Sequence, residues 1–244
     1  MTHEIAFRRV LRKFGVDLMR AKPNLATLIQ HYGVDTVLDV GANTGQYGVY
    51  LRAWGYAGRI VSFEPLSREF QELKAKADRD PLWDARNEGM GDTDGEAAIN
   101  VSEYSVYSSL LPVRPEMRAL DGRAGVVRTE RIRVRRLDSV FGEVRGTGRS
   151  IYLKVDTQGF EPAVIRGAEG VLDQVMAVQL ELSLHPLYEG ELLLPEMIQE
   201  MQARGFSLVF ATPVNYDDND LSVNQLDCVF RNQAFAGVRG VSAG

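Results

Sequence analysis

The stretch Thr36-Val37-Leu38-Asp39-Val40-Gly41-Ala42-Asn43-Thr44-Gly45-Gln46-Tyr47-Gly48 decides the fold of this chain. Three apolar residues, Val37, Leu38 and Val40, bracket one acid, and a glycine turn follows. A strand buried on both faces reads this way where it runs into a loop beneath a helix N-terminus. Glycine lets the backbone approach a ligand closely, and the free N–H groups of the helix start attract an anion. The next apolar run, Arg59-Ile60-Val61-Ser62-Phe63-Glu64-Pro65, closes on a second acid, Glu64. Acid, glycine turn, helix, strand and acid together form the pattern that holds a ribose-bearing ligand across a doubly wound sheet.

Outward from this stretch the same α/β logic continues. Asn24 is placed to cap a short helix through His31 that ends at Gly33. Strands are predicted at 36–40, 59–63 and 83–88, with helices over about 46–54 and over 67–77, the latter capped by Ser67. Parallel-strand patterning resumes at 150–155, 175–182, 206–210 and 225–230, with helices at 161–167 and 194–204. Between the two halves, Glu96–Ser102 and Val126–Leu137 alternate apolar and polar residues, as half-exposed strands do. They predict a β insertion around 95–137 on the parent sheet. Arg128, Arg131, Arg133, Arg135 and Arg136 decorate its second strand. They read either as charge guarding an edge strand or as a patch for an acidic substrate.

At 244 residues the chain buries a full core, and one α/β domain is expected. Residues 1–34 read as a helical segment packed on that core: Ile5, Val10, Leu11, Phe14 and Leu18 recur at roughly helical spacing among basic residues. A helix for a partner or a membrane surface is the other reading. The first residues show no signal-peptide pattern, and no apolar run is long enough to span a bilayer. The one cysteine, Cys228, sits in an apolar run and reads as a buried structural thiol in a reducing cytoplasm. A net charge of −5 argues against a duplex nucleic-acid partner.

Three constellations carry chemistry. In the first, the spacing Gly41-x-x-x-Gly45-x-x-Gly48 puts Asn43 where a pyrophosphate-binding fingerprint has its second glycine. This argues against a nucleotide-dependent oxidoreductase and suits a ligand with a carboxylate end, such as S-adenosylmethionine. Asp39 would balance its ammonium or hold the loop, and Glu64 would accept both ribose hydroxyls. The second is Ile151-Tyr152-Leu153-Lys154-Val155-Asp156-Thr157-Gln158-Gly159-Phe160-Glu161. Asp156 closes a strand, and Lys154 points to the same face two residues earlier. A lysine inside an apolar strand needs a partner, which Asp156 or Glu161 supplies; a structural ion pair is the plainer reading. The third is the strand bearing Glu181 and the loop with His185, Tyr188 and Glu189. His185 is expected at the crevice as a proton acceptor or, equally, as a loop histidine bonded to backbone. Tyr104, Tyr107, Tyr188 and Tyr216 lie in segments placed to roof the crevice.

At these blocks the chain resembles the FkbM-type S-adenosylmethionine-dependent methyltransferases. The resemblance rests on Val37–Gly45, Phe63-Glu64-Pro65, Leu153–Glu161, Leu180–Ser183 and Pro186–Gly190, and spans 36–230; Gln158 stands where members often carry Glu. It implies a Rossmann-like class I fold over 35–244, with a seven-stranded, mostly parallel sheet whose last strand is antiparallel. It also implies O-methyl transfer to a sugar, glycolipid or natural-product scaffold. Gly41, Asn43 and Gly45 would hold the methionine end of the cofactor and Glu64 the ribose. Asp92, at the expected end of the third strand, would meet the adenine, and Lys154, Asp156 and Glu161 would face the reacting centre. Asp156 or His185 would take the acceptor proton. A variant with Mg²⁺ on Asp156 and Glu181 is an alternative. A cofactor-binding protein without turnover is another, and a homo-oligomer stays open.

Overall fold

The computed structural model describes residue 13, residues 24–217 and residues 220–235. The amphipathic stretch predicted between residues 4 and 20 thus lies outside the described residues, Lys13 excepted. Helix α1 (Leu25–His31) leads into β1 (Thr36–Val40), α2 (Gln46–Ala53), β2 (Arg59–Phe63), α3 (Ser67–Ala77) and β3 (Trp83–Arg86). The middle of the chain forms β4 (Gly89–Met90), β5 (Gly95–Ser102), α4 (Pro115–Leu120) and β6 (Val126–Arg135). Then come α5 (Leu137–Arg145), β7 (Ile151–Val155), α6 (Glu161–Gly167), β8 (Val175–Ser183), α7 (Leu194–Ala203), β9 (Phe206–Tyr216) and β10 (Val223–Asn232).

One sheet has seven strands in the order β3-β2-β1-β7-β8-β10-β9. All its pairings are parallel except those of β10, which runs antiparallel to both β8 and β9. The mostly parallel sheet with a reversed last strand is therefore present as expected. Every residue of β1 and of β7 is buried, because helices cover both faces. Leu38, Val40, Leu153 and Val155 share a core with α5, α6 and α7. Val37, Ile60, Tyr152, Ala177 and Val229 point the other way, into a core with α1, α2 and α3. Two cores on one sheet explain why these strands read as continuous apolar runs and not as alternation.

The insertion differs from its expected form. Its strands make a separate sheet, β4-β6-β5, with β4 parallel and β5 antiparallel to β6. Leu66, Ile99, Val101, Ile132 and Val134 form its own small core. The third strand of the parent sheet ends at Arg86, because Gly89 and Met90 leave it to pair with Val134 and Arg135. Ser67 is not a cap. Leu66 holds the N-cap position, and the Ser67 N–H and hydroxyl both donate to Glu130 Oε1, at 2.9 and 2.7 Å, tying α3 to β6. The strand predicted at 206–210 runs on to Tyr216. Helix α5 is absent from the predicted elements, although Leu137, Val140, Phe141 and Val144 are buried at helical spacing. Asn24 caps α1 as predicted, accepting from the Thr27 N–H at 2.9 Å. Among the described residues no helix is long and apolar enough to cross a membrane.

Candidate active site

Polar residues concentrate on one face of the large sheet, toward its carboxyl edge, and strand register puts them side by side. Asp39 on β1 lies opposite Ser62 on β2 and Lys154 on β7. Lys154 lies opposite Gln179 on β8, and Glu181, two residues on, lies opposite Asp227 on β10. All share the side of Val37, Tyr152 and Ala177, because side chains alternate along a strand. Over this edge opens a cavity of about 800 Å³. Its wall includes Gly41, Asn43, Glu64, Lys154, Asp156 and Glu181, and Asp227, Gln158, Gln179, Gln225, Tyr47 and Tyr107 are among its other polar residues. That is within the usual size range of a small-molecule site, and the carboxyl edge of an open α/β sheet is where such sites lie.

One end of the cavity is made by backbone. Gly41 has φ +74°, and a Cβ there would sit 1.8 Å from the Asp156 carbonyl oxygen, so only glycine lets the β1 and β7 turns meet. Gly45, at φ +86°, is the N-cap of α2 and makes no side-chain cap, which leaves the first N–H groups of the helix to other partners. The Asn43 N–H donates to Glu64 Oε2 and the Leu66 N–H to Glu64 Oε1, both at 2.8 Å. Glu64 is thus pinned, yet each oxygen retains acceptor capacity toward the cavity. Burial pushes its pKa up to about 7, with the two backbone N–H groups pulling the other way.

The centre is the Lys154 ammonium, buried and 3.2 Å from Asp39 Oδ1 and 3.4 Å from Asp156 Oδ2. It also donates to the Gly41 carbonyl at 3.2 Å and lies 5.5 Å from the Tyr47 ring centroid. Burial alone would lower its pKa, but the Asp39 and Asp156 carboxylates outweigh that and raise it, so the lysine is firmly charged. Asp39 is fully buried, accepts from the Ser62 hydroxyl at 3.0 Å and does not reach the cavity.

The far end is a network of side chains. The Gln158 amide nitrogen donates to Asp156 Oδ1 at 2.8 Å and to Glu181 Oε2 at 2.6 Å. The Tyr188 hydroxyl donates to Gln158 Oε1 at 2.8 Å, and the Gln225 amide donates to Glu181 Oε2 at 3.2 Å. The Gln179 amide donates to Asp227 Oδ1 at 2.9 Å, while Gln179 Oε1 accepts from Tyr47 and Tyr152. Burial raises the pKa of Glu181 well above the ordinary carboxylate range, and Asp156 and Asp227 add to the rise. Burial likewise raises Asp227.

Other predicted residues fall elsewhere. Glu161 is buried at the start of α6 and accepts from the Thr157 N–H at 2.7 Å and the Thr157 hydroxyl at 3.1 Å. It holds the turn and does not line the cavity; burial pushes its pKa up to about 7. Asp92 is paired with Arg166 at 2.8 Å, outside the cavity wall, because the chain turned away after β3; Gly89 and Met90 line the wall instead. His185 is exposed and outside the wall. Of the tyrosines, Tyr107 lines the cavity, Tyr188 is buried behind Gln158, and Tyr104 and Tyr216 are exposed. The insertion arginines each find an acid: Arg128 with Glu130, Arg131 with Glu96, Arg133 with Glu88, Arg135 with Asp94 and Arg136 with Asp138. The edge-guarding reading therefore suits them. Cys228 is fully buried, and burial pushes its thiol up to about 12.

The donor set fits S-adenosylmethionine: an ionisable acid pinned for a diol, an uncapped helix start for a carboxylate, and carboxylates for cationic groups. It does not fit Mg²⁺ on Asp156 and Glu181, because a hydrogen-bond donor, the Gln158 amide, bridges those two carboxylates. Among the described residues, no three His, Cys, Asp or Glu side chains gather to hold a metal. Sequence reasoning missed Gln179, Gln225 and Asp227. Their signal was polar residues inside otherwise apolar strands, the same signal that exposed Lys154.

Strand order, the reversed β10 and the cavity at the carboxyl edge define the class: a Rossmann-like class I methyltransferase fold. The particular family follows from the sequence, since a model of the methyltransferase FkbM domain matches residues 39–208. The chain belongs to the FkbM methyltransferase family. It is 30% identical over 175 residues to the AMB antimetabolite synthetase AmbE of Pseudomonas aeruginosa, a match covering 60% of this chain and 8% of that much longer protein. TehB from Haemophilus influenzae is similar in fold, at 9% identity and a TM-score of 0.44, over 84% of this chain and 60% of TehB. So is magnesium protoporphyrin IX methyltransferase from Synechocystis PCC 6803 with bound S-adenosylmethionine, at 8% identity and a TM-score of 0.43, over 87% of this chain and 86% of that one.

Proposed function

We propose that this chain transfers a methyl group from S-adenosylmethionine to a hydroxyl oxygen of a small molecule, a sugar, glycolipid or natural-product scaffold. The observation that carries this reading is one continuous cavity that joins Glu64 and the Gly41–Asn43 turn to Asp156, Glu181 and Asp227. When bound, the cofactor supplies a methyl group on a positively charged sulfur. Glu64 accepts from the ribose hydroxyls, and the start of α2 with Asn43 receives the methionine carboxylate. Leu66 and Met90 offer an apolar wall for the adenine. Lys154, fixed by Asp39, holds Asp156 at the junction of the two halves. Tyr107 and the carboxamides of Gln179 and Gln225 orient a hydroxylated acceptor, and the β insertion keeps water out. Orientation of this kind supplies roughly 7–11 kcal/mol of the barrier. A single buried thiol suits a reducing cytoplasm as the place of reaction.

The test is incubation with methyl-labelled S-adenosylmethionine and small-molecule extracts, followed by identification of the labelled product. A methyl ether is expected. A methyl on nitrogen or carbon, or no labelled product from any extract, contradicts the reading.

A further inference from the structure

Asp156 is the obvious acid at the junction, but donors occupy both of its oxygens. Oδ1 accepts from Gln158, and Oδ2 faces the Lys154 ammonium. Asp227 carries its hydrogen bond on Oδ1, from Gln179, and stands on β10, one strand further from the junction than Glu181. At Glu181, in contrast to Asp156, both hydrogen bonds land on Oε2, from Gln158 and Gln225. Its carboxylate is thereby clamped on one side, while the side chain forms part of the cavity wall. Among the described residues no ammonium pairs with it: the nearby Lys154 is committed to Asp39 and Asp156.

We propose that Glu181 is the catalytic residue that takes the proton from the acceptor hydroxyl, with Gln158 as the residue that positions it. This rests on the O-methyl reading above. As the acceptor oxygen forms its bond to the methyl carbon, the carbon–sulfur bond breaks and its electron pair stays on sulfur as a neutral thioether. The hydroxyl proton passes to Glu181 Oε1, and the resulting carboxylic acid later loses it to solvent.

The electrostatics suit that role. The charged and titratable groups around Glu181 are Asp156 beyond β7, Asp227 on β10, Glu161 at the start of α6, the Tyr188 hydroxyl and, behind Asp156, the Lys154 ammonium. Burial and the three acids make Glu181 hold a proton more readily than a solvent-exposed carboxylate does. Once ionised, a carboxylate with a raised pKa draws a proton more strongly than an ordinary one. Gln158 matters because its amide bridges Asp156 and Glu181 without adding charge. Its own placement is fixed by Tyr188 and by the Ser109 hydroxyl, which donates to the Gln158 carbonyl at 2.7 Å.

The experiment combines turnover with a direct titration. In E181Q, turnover of an acceptor used by the wild type falls about 10²–10⁴-fold. Affinity for S-adenosylhomocysteine by calorimetry stays within a few-fold, and the acid limb of the rate profile at saturating S-adenosylmethionine disappears. In Q158E the added carboxyl moves that limb to higher pH. Carbon-13 NMR of the glutamate carboxyls in the unliganded protein reads the same group without catalysis. The Glu181 signal, absent in E181Q and displaced in Q158E, titrates well above the ordinary glutamate range. E181Q turning over within a few-fold of wild type, an unchanged acid limb, or a Glu181 carboxyl that titrates normally would each overturn the proposal. A wild type that methylates no hydroxyl defeats the O-methyl reading instead, and the NMR titration still judges Glu181.

Discussion

The two ends of the cavity are built by different means. At the Glu64 end the working parts are backbone: a turn that only glycine allows at Gly41, an uncapped helix start at Gly45, and two N–H groups pinning one acid. At the Glu181 end they are side chains from three strands and a turn, joined by the carboxamides of Gln158, Gln179 and Gln225. Backbone geometry is insensitive to most substitutions, so the first end suits a ligand that never changes. A network of side chains is rebuilt by single substitutions, so the second end is the one that single changes reshape.

That contrast is exposed to mutation. Gly41→Ala is the harshest test, because the new Cβ meets backbone at 1.8 Å at a positive φ. A loss of about 4–5 kcal/mol is expected in chemical denaturation; a loss below about 1 kcal/mol would mean that the two turns do not touch. Lys154→Met leaves the buried Asp39 and the partly exposed Asp156 without their cation, and about 3–5 kcal/mol should go. A near-neutral result would remove Lys154 from the centre of the site.

Glu64→Gln separates the ends most cleanly. Losing a charge-assisted contact weakens cofactor binding by about 1.5–3 kcal/mol, and one of the two backbone N–H groups that pin the side chain loses its acceptor at a cost of about 1 kcal/mol to the fold. Because burial lifts Glu64 from 4.5 to about 7, the acceptor form is present above that pH and lost below it. Wild-type affinity for S-adenosylhomocysteine should therefore rise as pH climbs through about 7, and that of the variant should stay flat. A flat wild-type profile would take Glu64 out of the binding site. The smallest effect belongs to His185→Ala: an exposed side chain off the cavity wall should change stability by no more than about 0.5 kcal/mol and leave turnover unaltered. A clear fall in turnover would bring the loop back into the chemistry.

The same contrast explains what the sequence reveals. The Asp39–Gly48 turn is contiguous, so strand, turn and helix start all show as local pattern. Lys154 is also readable, since a lysine in an apolar strand demands a partner. Its chief partner is not readable: Asp39 is more than a hundred residues away and meets it only through the parallel register of β1 and β7. Asp227 and Gln225 reach the site through the antiparallel register of β10 with β8, and no spacing in the chain announces that. Asp92 was expected at the site because strand three was extended too far, when Gly89 and Met90 had left to join the second sheet. His185 follows a strand that points at the cavity, yet its loop carries it outward. Local geometry can be read along the chain, whereas contacts made by register need the folded sheet.

The most direct measurement is a crystal structure of the protein soaked with S-adenosylhomocysteine. The expected result has both ribose hydroxyls on the Glu64 carboxylate, the amino-acid end at the Gly41–Gly45 turn and the sulfur directed toward Asp156 and Glu181. A ligand bound elsewhere, or a cavity left empty at saturating ligand, would contradict the account.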